Sequence, residues 1–495
     1  MSEELQPPEG SLPPEFVELM KALFGDQAEP TLEAMRLGGF DPSLVLSASG
    51  LPPDATTYSL IGDQLKRLMS SADAGEVINW EVAQDTARQV SAAAGPDPVI
   101  HGSDTTKVAA AIHLADLWLS EVIQFAPTGG AVMAISAAQW IEHTWQRWQA
   151  VTTPIAKSTT EAMSTLLAQQ GLEHPGLSDT LQGAATVFRS VAGGLFAVQI
   201  GHAIGGISRD VFGLSDTGLA MGPPRAMAQV PHTVANFAEE LELPLEEVQL
   251  FLAAREVAHA RLFAAVPWLT DHLFGAVEAY AAEITIDMDT LESQMRELDL
   301  SNPEAVRQAL SSGVFAPAVS SSQRSALTRL ETALALVEGW VDVVTAAATE
   351  DRLPASGALR EMVRRRRAVG GPAEQTFATL VGLELRPRQA REATKLWSHV
   401  TAAQGSAGRE QLWAHPDFLP THEDLDEPDS FLARQAERQS RDAAVDAEIA
   451  AFLENPEGGN AESPGHHPEG GNAESPGHHP EGGNAESPTK EPPPG

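Results

Sequence analysis

The chain contains no cysteine, and basic residues are scarce. Without cysteine, neither disulfides nor thiolate metal sites can form, so histidine, aspartate and glutamate are the strong metal ligands that remain. The 32 Lys and Arg residues stand against 68 Asp and Glu residues, which gives a formal net charge of −36. Such an acidic chain is not expected to bind nucleic acid or an anionic membrane, because both require a basic surface.

Several sequence signals are also missing. The N-terminal sequence MSEELQPPEG lacks the basic and apolar regions of a secretory signal peptide, so a cytoplasmic location is expected. No phosphate-binding glycine loop, Gly-x-Ser-x-Gly elbow or dinucleotide fingerprint occurs, which argues against nucleotide-dependent and serine-hydrolase chemistry. Residues 190–208 carry no formal charge, but their glycines, with Gln199 and His202, favour a tightly packed helix over a membrane span, with His202 in the core.

The sequence predicts three regions. Residues 1–100 are acidic and interrupted by proline-rich turns, which predicts a few short helices joined by turns. Within residues 101–453, apolar residues recur at spacings of three and four, as in AAQWIEHTWQRWQAV, which predicts helices almost throughout. Residues 454–495 repeat PEGGNAESPGHH and offer nothing apolar to bury, so a disordered acidic tail is predicted. The fold class is therefore predicted to be all-α with a disordered C-terminal tail.

The segment LAAREVAHARLF, residues 252–263, contains an altered zinc-binding motif. In the sequence His-Glu-x-x-His, two histidines on one helix face bind zinc and the glutamate activates a metal-bound water. Glu256 and His259 are in place, but Arg255 occupies the first histidine position and keeps its proton at ordinary pH. With 15 histidines and 68 acidic residues, chance alone gives roughly two Glu/Asp-x-x-His occurrences, so the wider context must carry the interpretation.

A second segment, ALVEGWVDVV at residues 335–344, places Glu338 and Asp342 four residues apart in an otherwise apolar helix. Carboxylates in such a helix need partners if they are buried. Either they contribute to a site shared with His259, or they face solvent or pair with an arginine of another helix.

The segments AREVAHARLF, FAVQIGHAIGGISRDVFGLSD and LVEGWVDVV together resemble the bacterial, largely actinobacterial, zincin-like metallopeptidase family. Its members are described as hydrolases or zinc-dependent metalloproteases, and the resemblance covers roughly residues 100–440. It implies a mainly helical zincin-like scaffold with Glu256 as general base and His259 and Glu338 as metal ligands. Arg255 departs from the family pattern, as does Trp340, at a position where the resemblance implies histidine.

These departures leave three functions open. The first is a degenerate metal site with a binding or regulatory role towards a protein or peptide partner. The second is an active metal-dependent peptidase or hydrolase that uses Glu256 as general base and non-standard ligands, with His113, His143 or His202 completing the coordination. The third is a purely structural or interaction protein. Catalytic competence is therefore uncertain, and zinc binding is expected to be absent or weak.

The charge of Arg255 is the reason for that expectation. A guanidinium repels a dication at close range and can pair instead with Glu256 or Glu338. Arg364 to Arg367 form a separate basic cluster in ALREMVRRRRAVGG. This cluster is expected to be a solvated helix end, where positive charge is favourable, or else a site for an acidic partner such as the tail.

Overall fold

The computed structural model describes residues 78–173, 193–194, 196–282, 320–368 and 389–454, with a few positions between residues 16 and 32. Between residues 78 and 454 the described residues form twelve α-helices, two short 3₁₀ helices and one pair of three-residue strands, so the predicted all-α class is confirmed. Residues 455–495 of the predicted tail lie outside the described residues, as does most of the region before residue 78.

In the described parts of the chain, the segments that join the helices range from the single residue 266 to residues 208–230. In chain order they are α1 (Trp80–Ala93), α2 (Gly102–Leu119), α3 (Ala137–Glu173), α4 (Phe196–Ile207), α5 (Pro231–Glu240), α6 (Leu245–Ala265), α7 (Pro267–Ala282), α8 (Ser321–Thr349), α9 (Ser356–Ala368), α10 (Ala390–Gln411), α11 (His422–Asp426) and α12 (Phe431–Glu454). Strands β1 (Val132–Ala134) and β2 (Met227–Gln229) pair in parallel, with Val132 opposite Met227. The described residues up to Ala433 belong to one compact unit, and those from Arg434 to Glu454 belong to a second.

Helix α6 lies at the centre of the first unit. It contacts α2, α5, α7, α8, α9 and β2, and residues 251–262 are buried on every side of the helix. Charged side chains in this stretch therefore need partners. Arg261 donates hydrogen bonds to the Asp116 carboxylate and to the Ser120 hydroxyl of α2. The same requirement applies to Arg255, Glu256 and His259.

Helix α8 packs against α6, α7 and α10 and forms the second wall of the core. Ser320 and Gln323 form a capping box at its N-terminus, which satisfies backbone donors that a helix end leaves open. The helix is long and apolar enough to cross a membrane by length and composition, but 89% of its apolar window is buried within the protein. A core helix of a globular protein has these properties.

Helices α1 and α4 approach each other closely at glycines of α4. A Cβ atom on Gly201 would lie 2.5 Å from the carbonyl oxygen of Ala83, and one on Gly205 would lie 2.6 Å from that of Ala87. Helix α1 thus belongs to the hydrophobic core, which begins before residue 101. His202, expected in the core, is exposed because Gly201 and Gly205 occupy the packed face and the next residue points away.

Alanine at Gly201 should reduce the free energy of unfolding by about 1–3 kcal/mol, since the added methyl overpacks against the α1 backbone. Alanine at Gly206, on the same helix, meets nothing within 4 Å and should stabilise the protein by up to about 1 kcal/mol through reduced backbone entropy. Urea denaturation of both variants tests this difference. Equal effects of the two substitutions would contradict the close approach of α1.

Candidate functional site

The structure brings His259 of α6 and Glu338 of α8 together, although 79 residues separate them in the sequence. The Nε2 atom of His259 lies 3.0 Å from Oε1 of Glu338, and the two side chains are only 2% and 6% exposed. The apolar residues around each segment bury both helices, and this burial drives the two polar side chains against each other. The site is therefore built at the α6–α8 interface.

Two arginines also contact the Glu338 carboxylate. Arg255 of α6 donates to Oε2 at 2.7 Å, and Arg367 of α9 lies 2.7 Å from Oε1. Burial alone favours the neutral acid, but the positive charge of Arg367, followed by His259 and Arg255, holds the pKa of Glu338 well below its ordinary value. Glu338 is therefore a buried carboxylate surrounded by cationic donors.

Both ring nitrogens of His259 face oxygen acceptors. Nδ1 lies 2.9 Å from the backbone carbonyl of Arg255, one helical turn earlier, and Nε2 faces the Glu338 carboxylate. These two contacts fix the orientation of the imidazole ring between α6 and α8.

Glu256 is held by backbone amides. Its Oε1 accepts hydrogen bonds from the N–H groups of Leu214 and Ala228, and its Oε2 accepts one from Ser215. Burial raises the pKa of Glu256, and these three hydrogen bonds offset only part of that rise. Arg255 was expected to pair with Glu256 or Glu338, and it pairs with Glu338. Both oxygens of Glu256 accept hydrogen bonds from backbone amides instead.

Asp342 and Trp340 lie away from this cluster. The Asp342 carboxylate accepts hydrogen bonds from Arg360 at 2.7 Å and Arg364 at 2.6 Å. Although burial opposes ionisation, these two arginines hold the pKa of Asp342 below its ordinary value. Trp340 is fully buried between the Phe125 ring, at 5.7 Å, and the Arg409 guanidinium, at 5.9 Å. Of the two alternatives for Asp342, the structure shows the one in which this acid pairs with arginines of another helix.

The basic cluster 364–367 was expected to be a solvated helix end, but most of its side chains have partners within the protein. Arg364 and Arg367 reach the two acids of α8, and Arg366 stacks 4.1 Å over the Phe212 ring. Only Arg365 pairs at the surface, with Glu361. Sequence analysis missed Arg367 as a member of the site. Spacings of four and three residues place Arg360, Arg364 and Arg367 on one face of α9, but this spacing does not identify the acids that they meet.

The donors present do not fit a zinc ion. Within the described ranges, no group of three or more His, Asp or Glu side chains is placed to hold a metal. His113 and His202 are exposed and His143 is partly buried, and none of them completes such a group. A guanidinium instead occupies the position of the first motif histidine.

A cavity of about 20 Å³ adjoins the cluster and is large enough for about one water molecule. Ser215 and Asp216 from the loop before β2 face Arg255, Glu256 and His259 across it. The amide-bound Glu256 fixes this loop against α6, so the loop and the cluster form one structural unit.

Glutamine at position 256 should lower the free energy of unfolding by about 1–3 kcal/mol. The amide NH2 of glutamine would face the N–H of Ser215 and leave a buried donor unsatisfied. Glu278→Gln, at an exposed position of α7, is the matched control and should change stability by no more than about 0.5 kcal/mol. Denaturant titrations that find both variants equally stable would exclude a structural role for the Glu256 carboxylate.

The fold and the sequence of this chain are both similar to those of known proteins. A solved structure from Chloroflexus aurantiacus, described as a proposed hydrolase with a novel fold, shares 18% sequence identity with a TM-score of 0.51. The alignment covers 72% of this chain and 99% of that protein, and shows a shared fold. A search of functionally curated proteins finds no match. The profile of the zincin-like metallopeptidases matches residues 78–432, and this chain belongs to the zincin-like metallopeptidase family.

Proposed function

We propose that this chain is a family member in which an ion-pair cluster replaces the metal site, and that it acts as a cytoplasmic binding or regulatory protein for a peptide or protein partner. One observation carries the proposal. Arg255, at the position of the first motif histidine, binds the carboxylate of Glu338 at 2.7 Å, and Glu338 is the residue that the family resemblance implies as a metal ligand.

The charges of the cluster support this proposal. Arg255 and Arg367 both contact Glu338, so a dication that approached this carboxylate would meet two guanidinium groups at close range. Losing one ligand of a zinc site whose total binding energy is about 10–16 kcal/mol also costs several kcal/mol of affinity. The cluster satisfies the buried acid without a metal, and a protein with this site can retain the fold and its binding surfaces without hydrolytic chemistry.

A second candidate function is a metal-dependent peptidase or hydrolase with Glu256 as general base and non-standard ligands. Burial raises the pKa of Glu256, which is the direction a general base requires, and a water-sized cavity lies beside it. Against this function, both carboxylate oxygens of Glu256 already accept backbone hydrogen bonds.

The zinc content of the full-length protein discriminates between the two functions. The tail histidines His466, His467, His478 and His479 should first be replaced by glutamine, because they could bind metal by themselves. We expect no stoichiometric zinc in this background, and no change on His259→Ala. One zinc per chain that disappears in His259→Ala would overturn the metal-free function and favour the hydrolase.

A further inference from the structure

A larger cavity, of about 290 Å³, lies beside the ion-pair cluster. The C-terminal part of α6, the loop 220–226 and the start of α7 form its walls. Its volume is close to the roughly 300 Å³ at which small-molecule pockets begin. Leu214, Phe263, Pro223 and Pro224 give the cavity an apolar lining.

Two arginines of this cavity have no carboxylate partner in the described part of the chain. Arg147 of α3 is half-buried, and its guanidinium lies 5.6 Å above the Phe274 ring. Arg225 is exposed in the loop before β2, and Asp271 at the rim pairs with neither arginine. Two cations that share a cavity without a carboxylate partner among the described residues, in a chain of net charge −36, indicate a place for an external anion.

The backbone fixes the position of Arg225. Its φ angle is +63°, in the left-handed region, which is unfavourable for a residue with a side chain. Gly130 packs directly on this peptide, and a Cβ atom at position 130 would lie 1.9 Å from the carbonyl oxygen of Arg225. The turn is further fixed by the hydrogen bond from the Met227 N–H to the carbonyl of Ala131. Strain of this kind persists where the surrounding structure imposes it, and it often marks functional positions.

The cavity shares part of its wall with the smaller cavity beside the ion-pair cluster. Ser215 lines both this cavity and the smaller one beside Arg255 and His259, and Ala260, the residue after His259, lines the larger cavity. A ligand held here would lie next to the position at which the family motif is altered.

We propose that this cavity binds a carboxylate ligand with a small apolar body, such as the C-terminal end of a peptide. Arg147 and Arg225 take the carboxylate, and the leucine, phenylalanine and proline side chains hold the apolar body. The inference rests on the proposed binding function and gives it a ligand class.

The test compares acids with their amides on the full-length protein by isothermal titration calorimetry. The probes are N-acetyl-leucine, a tetrapeptide ending in leucine, and the carboxamide of each. We expect the acid form of at least one probe to bind at least ten times more tightly than its amide. Binding by the tetrapeptide assigns a peptide terminus, and binding by N-acetyl-leucine alone assigns a free small acid. No binding by either acid, or equal binding by acid and amide, overturns the proposal.

Two variants test the arginines. Arg147→Gln removes one cation, and Arg225→Gly removes the other while relieving the positive φ, so this variant should be more stable than the parent protein. Each should weaken binding of the acid at least tenfold, whereas Arg324→Gln, at an exposed position of α8, should not. Unchanged binding in both variants overturns the assignment. Because zinc content is a separate measurement, failure of the metal-free function is distinguishable from failure of this site.

Discussion

Replacing Glu338 by glutamine should destabilise the protein by about 3–5 kcal/mol at neutral pH. The substitution removes the carboxylate that Arg255, Arg367 and His259 contact together, and leaves cationic groups buried at the α6–α8 interface. Arg255→Met should have a smaller effect, because Arg367 still pairs with the carboxylate and His259 still contacts it. A double-mutant cycle between positions 255 and 338 should give a coupling energy of more than about 1 kcal/mol.

The effect of Glu338→Gln should depend on pH in one direction. The pKa of Glu338 is lower in the folded protein than its ordinary value of 4.5, so its ionised form stabilises the fold. This contribution is complete above about pH 4.5 and is lost as the pH falls towards the folded-state pKa. Urea denaturation should therefore show a constant difference between the wild type and the variant near neutrality and a shrinking one in acid. A difference that grows in acid would contradict the ion-pair cluster.

The convergence of α6 and α8 was predictable because each segment combines apolar helical periodicity with polar residues that cannot be buried alone. His259 and Glu338 both lie in long buried stretches of these helices, and a buried polar side chain needs a polar partner within the core. The position of Trp340 also follows from helical register. A residue two positions after Glu338 lies on a different face, so Trp340 packs towards Phe125 instead.

The environment of Glu256 was not predictable from side chains. Its partners are backbone amides in the loop before β2 and in β2 itself, and any residue type other than proline supplies such a donor. The role of Arg367 depends on how α9 folds back along α8, which brings a distant basic cluster onto two acids. That contact is set by tertiary packing, and sequence periodicity within one helix does not contain it.

The substitution Arg255→His should create zinc affinity only when Arg367 is also removed. The single substitution restores the His-Glu-x-x-His motif on α6, but Arg367 still lies 2.7 Å from the carboxylate that would serve as third ligand. With Arg367→Gln added, the histidine introduced at position 255 would join His259 and Glu338 at an interface that already holds these two side chains 3.0 Å apart.

We expect Arg255→His combined with Arg367→Gln to bind one zinc per chain at least about 100-fold more tightly than the parent protein, since regaining one ligand is worth several kcal/mol. Zinc titration of proteins that carry glutamine at the four tail histidines provides the measurement, and His259→Ala in the double variant is the control that should abolish binding. If the double variant binds no zinc although it folds, then the α6–α8 interface does not preserve the geometry of a metal site. That result would mean that Arg255 supplies the positive charge of the metal and that the side chains around it have also lost the positions that a metal requires.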